Sequence, residues 1–98
     1  MEKKYFALHL LPSRPDFAQT MSEEERAIMM KHVGYWTELM NQGKVVVFGP
    51  VMAPDAVYGL GVICVEDEQE VKDFIANDPA TTINRYEYFP MRAIVPAK

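Results

Sequence analysis

The sequence predicts an α+β domain with the element order β-α-β-β-α-β, the split βαβ or ferredoxin-like arrangement. Short segments rich in strand-forming residues alternate with two segments of helical periodicity, and a capping box opens the first helical segment. The chain has 98 residues, of which 49% are apolar and 24% charged, and no repeat or linker divides it. This composition is ordinary for a globular protein, so we expect one domain over residues 1–98.

The first predicted strand covers residues 4–11, KYFALHLL. Phe6, Leu8 and Leu10 share one face. The other face carries Tyr5, Ala7, His9 and Leu11. Both faces are largely apolar, which indicates a second burial partner besides the helices. A second copy of the chain, packed sheet against sheet, would supply that partner, and a domain of this size gains from the extra burial. We therefore expect a homodimer or a higher oligomer.

A long helix is predicted over about residues 22–42. Ser22 and Glu25, three residues later, form a capping box, the acidic first turn suits the helix dipole, and Gly43 provides a stop. On a helical wheel, His32 lies near the middle of an apolar arc. That arc is formed by Ile28, Met29, Tyr35, Trp36, Leu39 and Met40. His32 is therefore expected to be buried.

The remaining elements complete the predicted sheet. KVVVFGP (44–50) predicts a strand ended by Gly-Pro, YGLGVICV (58–65) a further strand, and EDEQEVKDFIAND (66–78) a second helix. NRYEYFPMRAIVP (84–96) predicts a last strand that is bent or interrupted at Pro90, because proline cannot donate to a sheet ladder. Both helices would cover one sheet face. The bare face would hold Tyr5, His9, Val45, Val47 and aromatic residues of the last strand.

His32 needs a hydrogen-bond partner if it is buried, because an unpartnered polar group costs on the order of 1–3 kcal/mol. One interpretation is structural, with the ring bonded to a backbone carbonyl or a water. In the other, a carboxylate holds one ring nitrogen while the second nitrogen faces a pocket as a general base or acid. Asp78 is the best carboxylate candidate, because it follows the second helix, which lies beside the first. Asp78 also fits the N-cap of a turn over 79–83 that begins with proline, and both roles can coexist.

Four further side chains are candidates for a pocket. His9 either packs in the dimer interface or lines a pocket on the bare sheet face. Tyr35 and Trp36 belong either to the core or to a pocket wall. Arg92 forms either a surface ion pair or a contact with an anionic substrate. The residues alone leave each pair of alternatives open.

Two glycine-containing motifs are candidates for loops that bind a ligand. Gly49 and Pro50 form either a turn that ends a strand or a loop that approaches a ligand. The segment GLG (59–61) is a poor phosphate loop, because it lies inside a strand pattern and no helix follows it directly. Nucleotide binding is therefore not expected.

Charge and cysteine content exclude several classes of protein. The net charge is −4 and the ten Lys and Arg residues are scattered, which argues against nucleic-acid binding. Cys64 is the only cysteine, so neither an intramolecular disulfide nor a cysteine-based zinc site can form. His9 and His32 lack metal-ligand spacing, and we expect no metal or other cofactor.

The N-terminal segment resembles a signal peptide only superficially. Its apolar run is only about six residues long and ends in PSRP without a small-residue cleavage site, which favours a strand over a signal peptide. No stretch approaches the roughly 20 apolar residues that cross a bilayer. Together with the single cysteine, these features predict a cytoplasmic protein with no membrane partner.

An ordered set of motifs extends over about residues 32–91. They are His32-x-x-Tyr35-Trp36, FGPV (48–51), YGLGV (58–62), NDP (77–79) and YEYFPM (86–91). The set resembles the YCII-related, or YciI-like, family. The resemblance implies a dimeric α/β barrel of ferredoxin-like subunits, related to muconolactone-isomerase-like proteins. It also implies a His-Asp pair as the active site, which maps onto His32 and Asp78.

Two functions fit these expectations. The first is a cofactor-free lyase or isomerase, in which His32 transfers a proton and the carboxylate of Asp78 stabilises the imidazolium. The alternative is a non-catalytic dimeric module that binds a small metabolite, with His32 as a structural residue. Both imply a small-molecule ligand.

Overall fold

The computed structural model describes residues 3–96, so both ends of the predicted 1–98 domain lie outside the described residues. Its strands are β1 (Lys4–Leu11), β2 (Val45–Met52), β3 (Val57–Val65) and β4 (Arg85–Met91). Its helices are α1 (Phe17–Thr20), α2 (Glu23–Asn41) and α3 (Glu68–Ala76), followed by a 3-10 helix (Pro79–Thr82).

The strands form one antiparallel sheet in the order β2-β3-β1-β4. With α2 and α3 as the two crossovers, this is the ferredoxin-like arrangement, and the predicted α+β fold class is confirmed. Phe6, Leu8 and Leu10 are buried as the alternation of β1 predicts. The main core lies between the helices and one sheet face and contains Phe6, Leu8, Trp36, Val45, Ile63, Val65, Val71 and Phe74. The opposite face, which no helix of the described chain covers, is called the open face below.

Helix α2 begins and ends as its sequence predicts. The Ser22 hydroxyl accepts from the Glu25 amide, and the Glu25 carboxylate accepts from the Ser22 amide, so the capping box is complete. Gly43 adopts a φ of 84° just after the helix, in the left-handed region that glycine tolerates best. His32 and Trp36, one turn apart, are the buried residues of α2. The helix thus delivers a histidine and an indole to the interior.

Proline does not end β2 or interrupt β4 as predicted, although β4 ends at Met91 and not near residue 96 as expected. Gly49 and Pro50 lie within β2, which continues to Met52, and β4 runs through Pro90 to Met91 without interruption. The prediction that proline ends or breaks these strands was wrong. Both strands are at the edges of the sheet, where a missing N–H removes no necessary ladder bond.

A β-bulge changes the faces of β2. Val45 pairs with Ile63 and Val47 with Val62, so Val46 is an extra residue between them. Val45 is therefore buried at 6% exposure, while Val47 lies on the open face at 55% exposure. The prediction that Val45 and Val47 share the bare face was wrong for Val45.

The segment before α2, residues 12–21, is a strap that contains the unpredicted helix α1. Arg14 donates to both carboxylate oxygens of Glu25, at 3.1 and 2.9 Å, and to the carbonyl of Thr20 at 2.8 Å. Its guanidinium also lies 5.2 Å from the ring centroid of the buried Phe17. These contacts fix the strap to the start of α2.

Gly61 of β3 is required by the seating of Trp36. A Cβ atom at position 61 would lie 2.1 Å from the indole ring, far inside van der Waals contact. Gly61→Ala should therefore lower the free energy of unfolding by about 1–3 kcal/mol or more, because the ring has to move.

Gly34→Ala is the matched control, since a Cβ there meets nothing within 4 Å. In a helix interior this change should raise the free energy of unfolding by about 0.5–1 kcal/mol. Urea unfolding followed by circular dichroism measures both. Equal stability of Gly61→Ala and the wild type would contradict the packing of Trp36 against Gly61.

Candidate active site

Asp78 lies between α3 and the 3-10 helix and is only 1% exposed. Its Oδ1 accepts from the amide of Ala80 at 2.9 Å, which caps the turn that begins with Pro79. The predicted N-cap is confirmed. Because this turn follows α3 and contacts α2, the cap brings a carboxylate to the inner side of α2.

His32 contacts this carboxylate directly. Its Nδ1 lies 2.8 Å from Oδ2 and 3.0 Å from Oδ1 of Asp78. An ionised carboxylate only accepts, so Nδ1 carries a proton and donates. Every buried side-chain nitrogen and oxygen among residues 3–96 has a hydrogen-bond partner, but Nε2 of His32 has none there. Nε2 is therefore an accessible atom. The catalytic role of the pair stays a prediction.

Two further side chains donate to the same carboxylate. The Trp36 indole N–H lies 2.8 Å from Oδ2 of Asp78 and 3.0 Å from the hydroxyl oxygen of Tyr86. The Tyr86 hydroxyl also donates to Oδ2. Together with His32 and the amide of Ala80, four donors surround one carboxylate. Tyr86 was not singled out from the sequence. Its position in the alternating last strand and its place at the start of the YEYFPM motif are the signals that pointed to it.

These contacts set the protonation of the site. Burial favours the neutral carboxyl, but hydrogen bonds from His32, Tyr86 and the Ala80 amide outweigh it and hold the pKa of Asp78 below its ordinary value. Burial and the nearby charge of Asp78 raise the pKa of Tyr86 far above that of a free phenol. The same two causes raise the pKa of Tyr35 to about 12. The site therefore combines one fixed anion with protonated phenols around it.

A cavity of about 230 Å³ lies beside His32, between α2, the strap and the inner face of the sheet. Its lining is mostly apolar, and the polar side chains that reach it include His32, Asn84 and Tyr86. Among the lining residues there is no lysine, arginine or carboxylate. The cavity can thus hold a small molecule next to an imidazole.

Three of the six predicted pocket residues line this cavity and the other three do not. Trp36, Gly49 and Pro50 are in its wall. Tyr35 donates its hydroxyl to the carbonyl of Phe74 at 2.6 Å, and the two rings pack edge to face at 5.4 Å. Tyr35 therefore joins α2 to α3 and acts as a core residue.

His9 and Arg92 do not reach this cavity in their own chain. His9 lies on the open face, with ring centroids 5.5 Å from Tyr58 and 6.1 Å from Phe89. Arg92 is exposed and follows the end of β4. Tyr86, near the start of β4, is at the cavity, and a strand rise of about 3.4 Å per residue places the Cα of Arg92 roughly 20 Å from that of Tyr86.

Asn84 is a second site residue that no sequence pattern indicated. It is 9% exposed, and its Oδ1 accepts from the amide of Ser13 at 3.0 Å. Its Nδ2 lies 3.7 Å from the sulfur of Met29. Asn84 therefore ties the strap to the chain just before β4, at the wall of the cavity.

Within residues 3–96, no three His, Cys, Asp or Glu side chains are grouped as a metal ion requires. In the same range, no helix has the length and apolar character needed to span a bilayer.

The chain thus combines a ferredoxin-like fold with a buried histidine-carboxylate contact beside a small cavity. The family model of the YCII-related domain matches residues 6–94, and the chain belongs to this family. The resemblance seen in the sequence motifs is confirmed. A comparison with curated proteins finds no match.

Among solved structures, the chain is similar to 5-chloro-2-hydroxyhydroquinone dehydrochlorinase (TftG) from Burkholderia phenoliruptrix AC1100, in complex with 2,5-dihydroxybenzoquinone. The TM-score is 0.66 at 21% sequence identity, and the match covers 89% of this chain and 93% of that chain. At this identity the similarity shows a shared fold.

The depressed pKa of Asp78 predicts a specific pH dependence. The folded pKa lies below the ordinary value of 3.8, so the carboxylate stabilises the fold fully above that pH. This contribution is lost as the pH falls through the folded pKa. Asp78→Asn should therefore lower the free energy of unfolding by about 1–3 kcal/mol near neutral pH, and the difference from the wild type should shrink in acid.

Urea unfolding of both proteins at neutral pH and below pH 4 measures this difference. Glu25, whose pKa is lowered to about 2 by its hydrogen bonds with Arg14 and Ser22, is present in both proteins, so its effect cancels. A difference that stays constant or grows in acid would contradict an ionised Asp78 in the folded state.

Proposed function

We propose that the chain is a cofactor-free enzyme, a lyase or isomerase, that moves a proton on a small molecule. The observation that supports this most directly is the hydrogen-bond arrangement of the two ring nitrogens of His32. Nδ1 donates to Asp78, while Nε2 is accessible on a residue that lines the cavity. In a neutral ring this leaves the Nε2 lone pair as the available base.

The proposed reaction begins when His32 Nε2 removes a proton from a hydroxyl group or an acidic carbon of the substrate. The imidazolium that forms is stabilised by the Asp78 carboxylate, whose oxygen lies 2.8 Å from Nδ1. Trp36 and Tyr86 already hold that carboxylate in place, so little reorganisation accompanies the proton transfer. General-base catalysis of this kind contributes typically about 10²–10⁴ in rate. In an isomerisation the imidazolium returns the proton at another position. In an elimination from a hydroxylated ring, it returns the proton to the ring carbon that bears the leaving group, and deprotonation of a second hydroxyl then expels the leaving group with the electron pair of its bond.

The similar dehydrochlorinase favours the elimination of a leaving group over isomerisation. That protein has the same fold, and its name states the loss of hydrogen chloride from a chlorinated hydroxyhydroquinone. We therefore propose that a substituted ring compound is the substrate here also. 5-chloro-2-hydroxyhydroquinone is the first compound to test.

We also propose that a second copy of the chain covers the open face, as the family resemblance implies. Large apolar side chains are exposed on this face, including Val47 at 55%, Phe89 at 53% and Met91 at 39%. His9 lies among them. An isolated monomer would leave this patch in water, whereas pairing of two such faces would bury it.

His32→Gln should abolish the release of chloride from 5-chloro-2-hydroxyhydroquinone while circular dichroism shows an unchanged fold. Glutamine can still hydrogen-bond to Asp78 but cannot act as a base near neutral pH. The matched control is His9→Gln, the same substitution on the opposite face of the sheet, which should keep most of the activity.

Chloride release that survives in His32→Gln would contradict the proposed base. If the wild type binds the compound but neither it nor the variant turns it over, the non-catalytic binding module is the better description. A lower melting temperature as the sole effect of the substitution would assign a structural role to His32.

The dimer is tested by light scattering at micromolar concentration. The wild type should show twice the chain mass of 11.2 kDa. Phe89→Asp should shift it toward monomer, because a charge would be buried at the interface. Met30→Asp is the control, since Met30 is exposed at 72% on α2, away from the open face. A monomeric wild type would overturn the dimer.

A further inference from the structure

We infer that the cavity takes an uncharged compound with a single ring, and that Gly59 sets the size limit. This rests on the proposed function only in that it assigns a ligand class to the same cavity. It is supported by the volume of the cavity, the residue that forms its floor, and the charges around it.

The cavity volume limits the ligand to about one ring. An engineered apolar cavity of about 150 Å³ holds benzene, and pockets for drug-sized ligands are about 300–1,000 Å³. At about 230 Å³, the cavity beside His32 lies between these values. It therefore has room for one six-membered ring with small substituents, and nucleotides and substituted fused ring systems exceed the volume that this comparison allows.

The floor of the cavity is backbone because two alternate positions of β3 are glycine. A side chain at position 59 or 61 would lie on the inner face of the sheet, because these positions pair with Leu10 and Leu8. Both residues line the cavity, but the space above Gly61 is filled by the Trp36 ring, whereas the atoms nearest to a Cβ at position 59 belong to Leu10. A Cβ at position 59 would lie 3.2 Å from the Cβ of Leu10, which is tight but needs only a small shift. A larger side chain at 59 would therefore occupy ligand space without touching Asp78.

Aromatic walls favour a flat ligand above this floor. Trp36 and Phe48 both line the cavity, with ring centroids 5.4 Å apart and planes inclined by 37°. Flat apolar surfaces of this kind pack well against another ring.

The charges around the cavity favour an uncharged ligand. Among its lining residues no lysine or arginine is present, and the Cα of Arg92 is roughly 20 Å from that of Tyr86. The anionic Asp78 contacts His32, which lines the cavity. An anion that loses its water there gains no cation in return. The side chains of His32, Tyr86 and Asn84 supply polar groups to the cavity, and such groups can hydrogen-bond a neutral hydroxyl or carbonyl group.

Three probes test size and charge separately in the full chain. Benzyl alcohol and benzoate have the same ring and differ in charge, and 1-naphthalenemethanol adds a fused ring. Each is titrated at millimolar concentration while the ring resonances of His32 and Tyr86 are followed by NMR. Benzyl alcohol should shift them saturably, and benzoate and 1-naphthalenemethanol should bind roughly tenfold more weakly or worse.

Gly59→Val tests the floor. It should weaken benzyl alcohol roughly tenfold or more, because the new side chain fills ligand space. Gly34→Ala, which adds a methyl group where nothing lies within 4 Å, should bind like the wild type. If circular dichroism shows that Gly59→Val does not fold, Gly59→Ala replaces it and should weaken benzyl alcohol by roughly threefold.

Three results would overturn the inference: benzoate binding as tightly as benzyl alcohol, 1-naphthalenemethanol binding as tightly, or an unchanged affinity in the folded Gly59 variant. Absence of saturable binding by benzyl alcohol would overturn it as well. Because these titrations need no turnover, they are independent of chloride release. A protein that binds benzyl alcohol but has no His32-dependent activity would retain the ligand class and lose the proposed reaction.

Discussion

The buried carboxylate of Asp78 is the interaction on which the rest of the site depends. Its charge is taken out of water, which is tolerated only because hydrogen bonds surround it. The donors come from separate parts of the chain: His32 and Trp36 from α2, Tyr86 from β4, and Ala80 from the turn itself. One anion therefore links α2, β4 and the turn after Asp78. The same contacts fix the orientation of the imidazole.

The cavity depends on a second constraint, the missing side chains of β3. Gly61 admits the Trp36 indole to the sheet surface, which places its N–H against Asp78. Gly59, two residues away on the same face, keeps the adjoining space open. The segment GLG (59–61), a poor phosphate loop by its sequence, thus contributes to the site through its lack of side chains. Because Gly61 makes room for the Trp36 indole, the packing of Trp36 and its hydrogen bond to Asp78 depend on each other.

Local patterns predicted the fold well and the site in part. The capping box of α2, the alternation of β1 and the cap at Asp78 are short-range signals, and the structure contains each of them. The bulge at Val46 and the passage of Pro90 through an edge strand depend on which strands are neighbours, which periodicity does not encode. Tyr86 was missed for the same reason, because only the folded chain brings the last strand to Asp78.

The most direct test of the account is the tautomer of the neutral His32 ring, measured from its two nitrogen resonances in a ¹⁵N-labelled protein. The geometry predicts a proton on Nδ1, bonded to Asp78, and a bare Nε2. In Asp78→Asn, where the side chain can donate, the preference for Nδ1–H should weaken or reverse. A proton on Nε2 in the wild type would contradict the account, because the accessible nitrogen would then have no lone pair with which to accept a proton.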